Sequence, residues 1–293
     1  MEEQAIAREH MLGQFLSPSA FRLPERLVGS AWHGHAPFAA WLIEGQRPQS
    51  LVELGTHAGF SYLCFCEAVR TAGLRTQCTA VDTWRGDEHA GFYDESIFAD
   101  LERYHSVRYS AFSRLLRMTF DEAADHVPDG SVDLLHIDGR HRYEDVSADF
   151  ESWRPKLSDR AIVLFHDTTV RERDFGVHQF WSEVSAQRPH FEFLHGHGLG
   201  VLGIGSALPA RTVALFEAND NPHRRAVIRA CYQRLGMAVI DRWEKTVAEQ
   251  RLVDAHRIAA EANQRAVMQT AEADQLRKTL AAQLLGSMKR PTA

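Results

Sequence analysis

The sequence predicts an α/β protein: a doubly wound, mostly parallel sheet with helices on both faces, extended by a long C-terminal helix. Three observations carry this. Between Ser50 and Gly205, short apolar runs alternate with helix-compatible segments. Two of these runs, Leu134-Leu135-His136-Ile137 and Ile162-Val163-Leu164-Phe165, are apolar almost throughout, as strands covered on both faces are. Beyond Pro209 the strand signal stops, and Ala, Glu, Gln and Arg dominate with no proline between Pro222 and Pro291.

Residues 1–48 read as a helical lead-in. A helix is expected over Glu2 to Phe15, then a proline-containing stretch, then a helix near Pro37 to Glu44, with Pro37 in the first turn where its missing N–H costs nothing. Residues 49–206 form the expected Rossmann-like domain. Its strands are placed at Ser50 to Leu54, Gln77 to Val81, Val132 to Ile137, Ala161 to Phe165, Phe191 to His195 and Leu199 to Ile204; its helices at Phe60 to Ala72, Phe120 to Ala124 and Tyr143 to Trp153. Residues 207–293 are the α-helical extension: a short helix near Val213 to Ala218, a turn at Asn219-Asp220-Asn221-Pro222, then one long helix. Its apolar positions Val239, Trp243, Val247, Ile258, Ala262, Leu276, Leu280 and Leu284 make an interrupted stripe, so a coiled-coil or oligomerisation role stands beside a helix pair folded back on the domain.

With 293 residues, 44% of them apolar, the chain can bury a sizeable core. A formal charge of -6 argues against nucleic acid as partner. The start Met1-Glu2-Glu3-Gln4 lacks the basic and apolar regions of a secretion signal, and no apolar run reaches the ~20 residues of a membrane span, so a cytoplasmic protein without a transmembrane segment is expected. Cys64, Cys66, Cys78 and Cys231 have no CxxC spacing and read as buried thiols.

Chemistry is expected at the strand ends, because open parallel sheets bind ligands at the carboxyl edge. The third and fourth strands deliver Asp138-Gly139-Arg140-His141 and His166-Asp167 there, a combination that points to a metal with an adjacent base. The first strand runs into Glu53-Leu54-Gly55-Thr56-His57-Ala58-Gly59-Phe60-Ser61. Gly55 allows a tight turn and Gly59 lets a helix start against a ligand, offering free amides to an anion. The second strand ends in Asp82-Thr83-Trp84, where a carboxylate could grip two ribose hydroxyls and an indole could cover an adenine, or simply pack. A nicotinamide cofactor fits less well, since the loop has GxxxG rather than GxGxxG. Gly196-His197-Gly198-Leu199-Gly200 leads into strand-like residues and is not read as a phosphate loop.

Val52-Glu53-Leu54-Gly55-Thr56 with Gly59 and Ser61, the run Asp82-Thr83-Trp84-Arg85-Gly86-Asp87, and His136-Ile137-Asp138-Gly139-Arg140-His141 resemble class I S-adenosylmethionine-dependent methyltransferases, of the branch associated with bacterial polysaccharide biosynthesis. The resemblance spans about Trp32 to Gly205. It implies S-adenosylmethionine as cofactor, with Glu53, Gly55 and Gly59 (and Thr56 and Ser61 beside them) at the methionine end, Asp82 (with Thr83 and Trp84) at the ribose, Phe120 near adenine, and Asp138 close by.

Methyl transfer to a hydroxyl needs alignment and removal of a proton. Asp138 and Asp167 are hard oxygen ligands for Mg2+ or another divalent metal, and His141 would be the base. The sequence is also similar to metal-dependent sugar O-methyltransferases, which carry an aspartate, a histidine three residues on, and an acidic pair after the next strand. Here His166 stands first in that pair, so the ligand set would be Asp138, His166 and Asp167, a softer ion would be favoured, or no metal would bind. Residues Arg85 to Tyr104 are expected to loop over the cleft, with Asp87, His89 and Tyr93 toward a sugar; Arg171 is expected on the opposite wall, and Trp32-His33-Gly34-His35 on the N-terminal side.

The leading expectation is an O-methyltransferase acting on a saccharide hydroxyl in bacterial surface-polysaccharide assembly, homo-oligomeric through its C-terminal helix and with a glycosyltransferase as a further partner. The alternatives are a methyltransferase for a small natural-product hydroxyl, and a non-catalytic module whose long helix governs assembly or chain length.

Overall fold

A computed structural model describes residues 13–87, 91–172 and 174–287; the helix expected over Glu2 to Phe15 lies outside them except for 13–15, which are helical. The chain divides into two compact units, Met1–Asp241 and Arg242–Ala293.

The first unit is built on seven strands: β1 (Ser50–Leu54), β2 (Gln77–Asp82), β5 (Ser113–Arg117), β6 (Val132–Ile137), β7 (Leu157–His166), β8 (His190–Phe193) and β9 (Leu199–Gly203). Their order across the sheet is β5-β2-β1-β6-β7-β9-β8. The first five are parallel; β9 runs antiparallel to β7 and β8 antiparallel to β9. This is the doubly wound, mostly parallel Rossmann-like sheet expected. The order reverses at β1 and β6, so their carboxyl ends open the crevice in which such sheets bind ligands.

Consecutive strand residues serve opposite faces, as the pleat dictates. Leu51, Leu134, Ile162 and Leu164 join one apolar cluster with helices α1 (Ala36–Gln46), α2 (Phe60–Thr71) and α3 (Glu95–Arg108). Val52, Leu135, Val163 and Phe165 join the other, with α4 (Phe120–Ala124), α5 (Tyr143–Trp153) and α6 (Val177–Ser185). Local chemistry sets the helix starts. Asp94 caps α3 by accepting from Ser96 N, and Thr119 with Glu122 forms a reciprocal capping box on α4.

Residues Arg85 to Tyr104, expected as one loop, instead hold a two-residue hairpin, β3 (Gly86–Asp87) with β4 (Gly91–Phe92), followed by most of α3. Edge strand β5 and helix α6 add to the elements expected. Helix α7 (Ala210–Asn219) precedes α8 (Pro222–Ser287), a single helix of 66 residues that begins, as expected, at the proline after the turn. The early part of α8 belongs to the first unit. Ile228, Tyr232 and Val239 are buried there, and the Tyr232 hydroxyl donates to Phe15 O at 2.7 Å. In the second unit nearly every described side chain is exposed, Leu252, Ile258, Leu276 and Leu280 included. Among the described residues no helix is long and apolar enough to cross a membrane.

Candidate active site

Register brings the strand ends together. Leu54 pairs with Ile137 and Ile137 with Phe165, so Gly55, Asp138 and His166 follow one another across the sheet edge. The turns beyond are tight. Gly55 has φ +88°, and a Cβ there would lie 2.1 Å from Asp138 O; Gly59, at φ +84°, caps α2. His57, Trp84 and Asp167 adopt the left-handed region at φ 48°, 50° and 61°, each just past the end of a different strand. Such backbone costs roughly 1–2 kcal/mol per residue outside glycine, and it gathers where the surrounding structure over-determines it.

Two cavities open here, of about 340 Å3 and about 370 Å3, each large enough for part of a small-molecule ligand. Gly55, His57, Tyr93, Asp138 and His141 line both. The first continues over Thr56, Gly59 and Ser61 at the start of α2 and over His166, Asp167, Glu172, Phe175 and His197. The second continues over Asp82, Thr83, Phe120, Asp121, Asp145 and Asp149.

Of the residues expected at a cofactor, Gly55, Thr56, Gly59, Ser61, Asp82, Thr83, Phe120 and Asp138 each line at least one of the two cavities. Two others do not. Glu53 is fully buried against His136 Nδ1 at 2.8 Å, and burial pushes its carboxyl up against the lowering effect of that contact. It lies beneath the cleft because its strand position faces the core. Trp84 is 2% exposed, donates its indole N–H to His57 O at 2.8 Å and packs on Phe98, so neither face is open to an adenine. Asp82 does more than was expected. Its Oδ2 accepts from Thr56 N and His57 N at 2.9 and 2.8 Å, and its Oδ1 from Trp84 N at 2.7 Å. A carboxylate has about four acceptor positions. Two of them hold the β1–α2 loop and a third holds the turn after β2, which leaves one.

Asp138, His141 and Asp167 each bring a ligand atom to within 4.8 Å of the others. His141 Nε2 lies 3.0 Å from Asp167 Oδ2. Burial alone would depress its pKa, but the bond to Asp167 and the nearby carboxylates raise it. His166, expected among the ligands, stands outside this group because both of its nitrogens are committed. Its Nε2 donates to Gly196 O at 3.0 Å, and its Nδ1 lies 3.1 Å from Asp138 Oδ1 and 3.4 Å from Asp167 Oδ2. Burial opposes its charge, yet the two carboxylates outweigh that and hold its pKa well above the ordinary value. Asp167 is reciprocally lowered: burial acts upward, His166 and His141 downward.

Arg171 turns its guanidinium to Thr168 O and Val170 O, at 3.1 and 3.4 Å, and does not line either cavity. Tyr93 does, packed on His57 at a ring separation of 4.5 Å. His89 lies outside the described residues, and of Asp87 only the backbone is described.

Several contacts were not anticipated, although Trp32-His33-Gly34-His35 was expected on this side and Trp32 lines the first cavity. Phe175 lies flat on His141, with centroids 4.5 Å apart and planes at 12°. His197 approaches Asp167 Oδ1 at 3.5 Å. Residues His33-Gly34-His35 and His195-Gly196-His197 interlock: His35 Nε2 donates to Gly196 O at 3.0 Å and His195 Nε2 to Gly34 O at 3.1 Å. Gly196 O thereby receives both His35 and His166. The repeated His-Gly-His was the available signal.

A protein-family profile described as a methyltransferase domain matches residues 52–168, the segment from β1 to the turn after β7 that carries Asp82, Asp138, His141 and Asp167. The chain is 48% identical over 269 residues to the Sinorhizobium fredii protein y4gI, described as uncharacterized; the match takes in 85% of this chain and 29% of that protein, so the chain spans under a third of its relative's length. Among solved structures it is similar to a methyltransferase from Geobacter sulfurreducens (17% identity, 69% of this chain and 86% of that one, TM-score 0.45). It is also similar to the Podospora anserina methyltransferase PaMTH1 with bound SAH (12%, 69% and 95%, 0.45). A third is the O-methyltransferase TomG of Streptomyces achromogenes, in complex with SAM (11%, 67% and 89%, 0.45).

Proposed function

We propose that the chain is an S-adenosylmethionine-dependent O-methyltransferase acting on a saccharide hydroxyl in bacterial surface-polysaccharide assembly. The observation that carries the reading is the position of Asp138 and His141 on the wall common to both cavities, inside the segment that matches the methyltransferase-domain family. A donor in one half and an acceptor in the other would meet at those two residues.

The donor half suits the cofactor. Thr56 lines the first cavity, and its hydroxyl is buried with no hydrogen-bond partner among the described residues. Beside it, the amides that open α2 are directed at any carboxylate placed there. S-adenosylmethionine, when bound, supplies an electrophilic methyl group. The chain's part is to align the acceptor hydroxyl for in-line displacement and to take its proton. His141 would accept that proton, and the Asp167 carboxylate, 3.0 Å from Nε2, would stabilise the resulting imidazolium. General-base help of this kind contributes ~10² to 10⁴ in rate.

A second reading of His141 rests on the convergence of its Nε2 with the two carboxylates. Asp138, His141 and Asp167 would hold a divalent cation, which supplies positive charge beside the acceptor oxygen. A metal-bound imidazole is not free to take the acceptor's proton, so the His141→Ala variant separates the two roles. As base, its loss leaves Mn2+ affinity and S-adenosylmethionine affinity intact and removes most turnover. As ligand, its loss weakens Mn2+ binding as well, read by titration calorimetry on the same preparation. Undiminished methylation would overturn both roles.

A further inference from the structure

Besides the residues that open α2, the first cavity is lined by Tyr93, Glu172, Phe175, His197 and the carboxylates of Asp138 and Asp167, which would face the acceptor. Among the described residues lining that cavity there is no lysine or arginine, although the chain has 33 of them. Of the described arginines nearby, Arg171 donates to backbone carbonyls, Arg142 pairs with Asp174 at 2.7 Å, and Arg140 lines the second cavity instead. Recognition of a phosphate or carboxylate relies on charge-assisted donors, above all the guanidinium fork. Of the three carboxylates facing the same space, Asp138 and Asp167 are matched by His166 and His141, and Glu172 acts in the opposite sense.

What the wall does offer is two fixed aromatic faces and several acceptors. Tyr93 is backed by His57, and Phe175 lies flat on His141. Ring faces of this kind pack against the C–H face of a sugar, while carboxylates accept from its hydroxyls. We infer that the acceptor is a saccharide with no anionic group beside the reacting hydroxyl: the unphosphorylated residue of a glycoside or glycan rather than a sugar phosphate or nucleotide sugar. This rests on the methyltransferase reading above and narrows its substrate.

The test uses the whole chain and labelled S-adenosylmethionine against matched probes. These are methyl glycosides of common hexoses, 6-deoxyhexoses and amino hexoses, the corresponding sugar 1-phosphates, and their nucleoside-diphosphate forms. Calorimetry with S-adenosylmethionine alone is run on the same preparation. Label is expected in at least one methyl glycoside, with its phosphorylated counterparts below a tenth of that rate. Glu172→Lys should narrow the gap by about tenfold, since it replaces a repelling charge by an attracting one. Equal or greater labelling of the phosphorylated forms would overturn the inference, as would cofactor binding with no label in any unphosphorylated probe. Failure to bind S-adenosylmethionine would instead remove the methyltransferase reading, and the inference with it.

Discussion

Replacing Asp149 with asparagine removes a carboxyl whose ionisation the fold disfavours. Asp149, on α5, lines the second cavity beside Asp145 and Asp121. Burial first, then those two neighbours, push its pKa from 3.8 to about 7, with Arg140 acting weakly against them. Each pKa unit is worth about 1.4 kcal/mol, so the ionised form costs the fold at most about 4 kcal/mol. The side chain is only half-buried and borders a solvent-filled cleft, which reduces the working figure to about 1–2 kcal/mol. The sign follows from linkage. A group whose folded pKa is raised contributes its stability below the unfolded value and loses it as pH climbs to the folded value. The native chain should therefore lose stability relative to Asp149→Asn between about pH 4 and pH 7, and the gap should stay constant above that. Urea unfolding of both proteins without cofactor, from pH 4 to pH 8.5, measures it. The curves should converge at the acid end, with the variant more stable at pH 8. A difference independent of pH would refute the argument.

Other consequences follow from single contacts. Gly55→Ala places a Cβ 2.1 Å from Asp138 O at a positive φ, so it should cost more than about 2 kcal/mol and abolish cofactor binding, read by thermal melting and calorimetry. His35→Ala leaves Gly196 O with His166 alone; turnover should fall while S-adenosylmethionine affinity holds, and unchanged turnover would count against the interlock. Truncation after Asp241 should leave the thermal midpoint of the first unit unchanged, whereas truncation after Asn219 exposes the core around Ile228, Tyr232 and Val239 and should cost at least ~5 kcal/mol. If the helix beyond Asp241 joins copies of the chain, the first truncation also reduces the assembly to a monomer; an elution volume unchanged after correction for mass would argue otherwise.

The sheet could be read in the sequence because its central strands are covered on both faces: Leu134 and Leu135 serve opposite clusters, and so do Ile162 and Val163, leaving a continuous apolar run. Strand β5, at the sheet edge, has arginines at Arg114 and Arg117 and half-buried leucines between them, a pattern that resembles loop. Helix α3 was hidden by the glycines that precede it; its start at Asp94 depends on a side-chain cap rather than on apolar periodicity. Asp138, His141 and Asp167 were legible since they sit at ends of the best-defined strands. The partners of His166 were not. Gly196 lies 30 residues away and is itself held by His35, 161 residues from it, so only tertiary structure commits both nitrogens of His166. Trp84 and Glu53 show the converse, residue types suited to a ligand that packing turned inward.

The central claim is that the carboxyl edge of β1, β2 and β6 is a site for S-adenosylmethionine. Titration calorimetry of the cofactor into the whole chain tests it most directly. One site per chain is expected, with binding lost in Gly55→Ala and retained in His141→Ala. No heat of binding at any cofactor concentration, from a preparation that unfolds cooperatively, would contradict the account and leave the domain as a non-catalytic module.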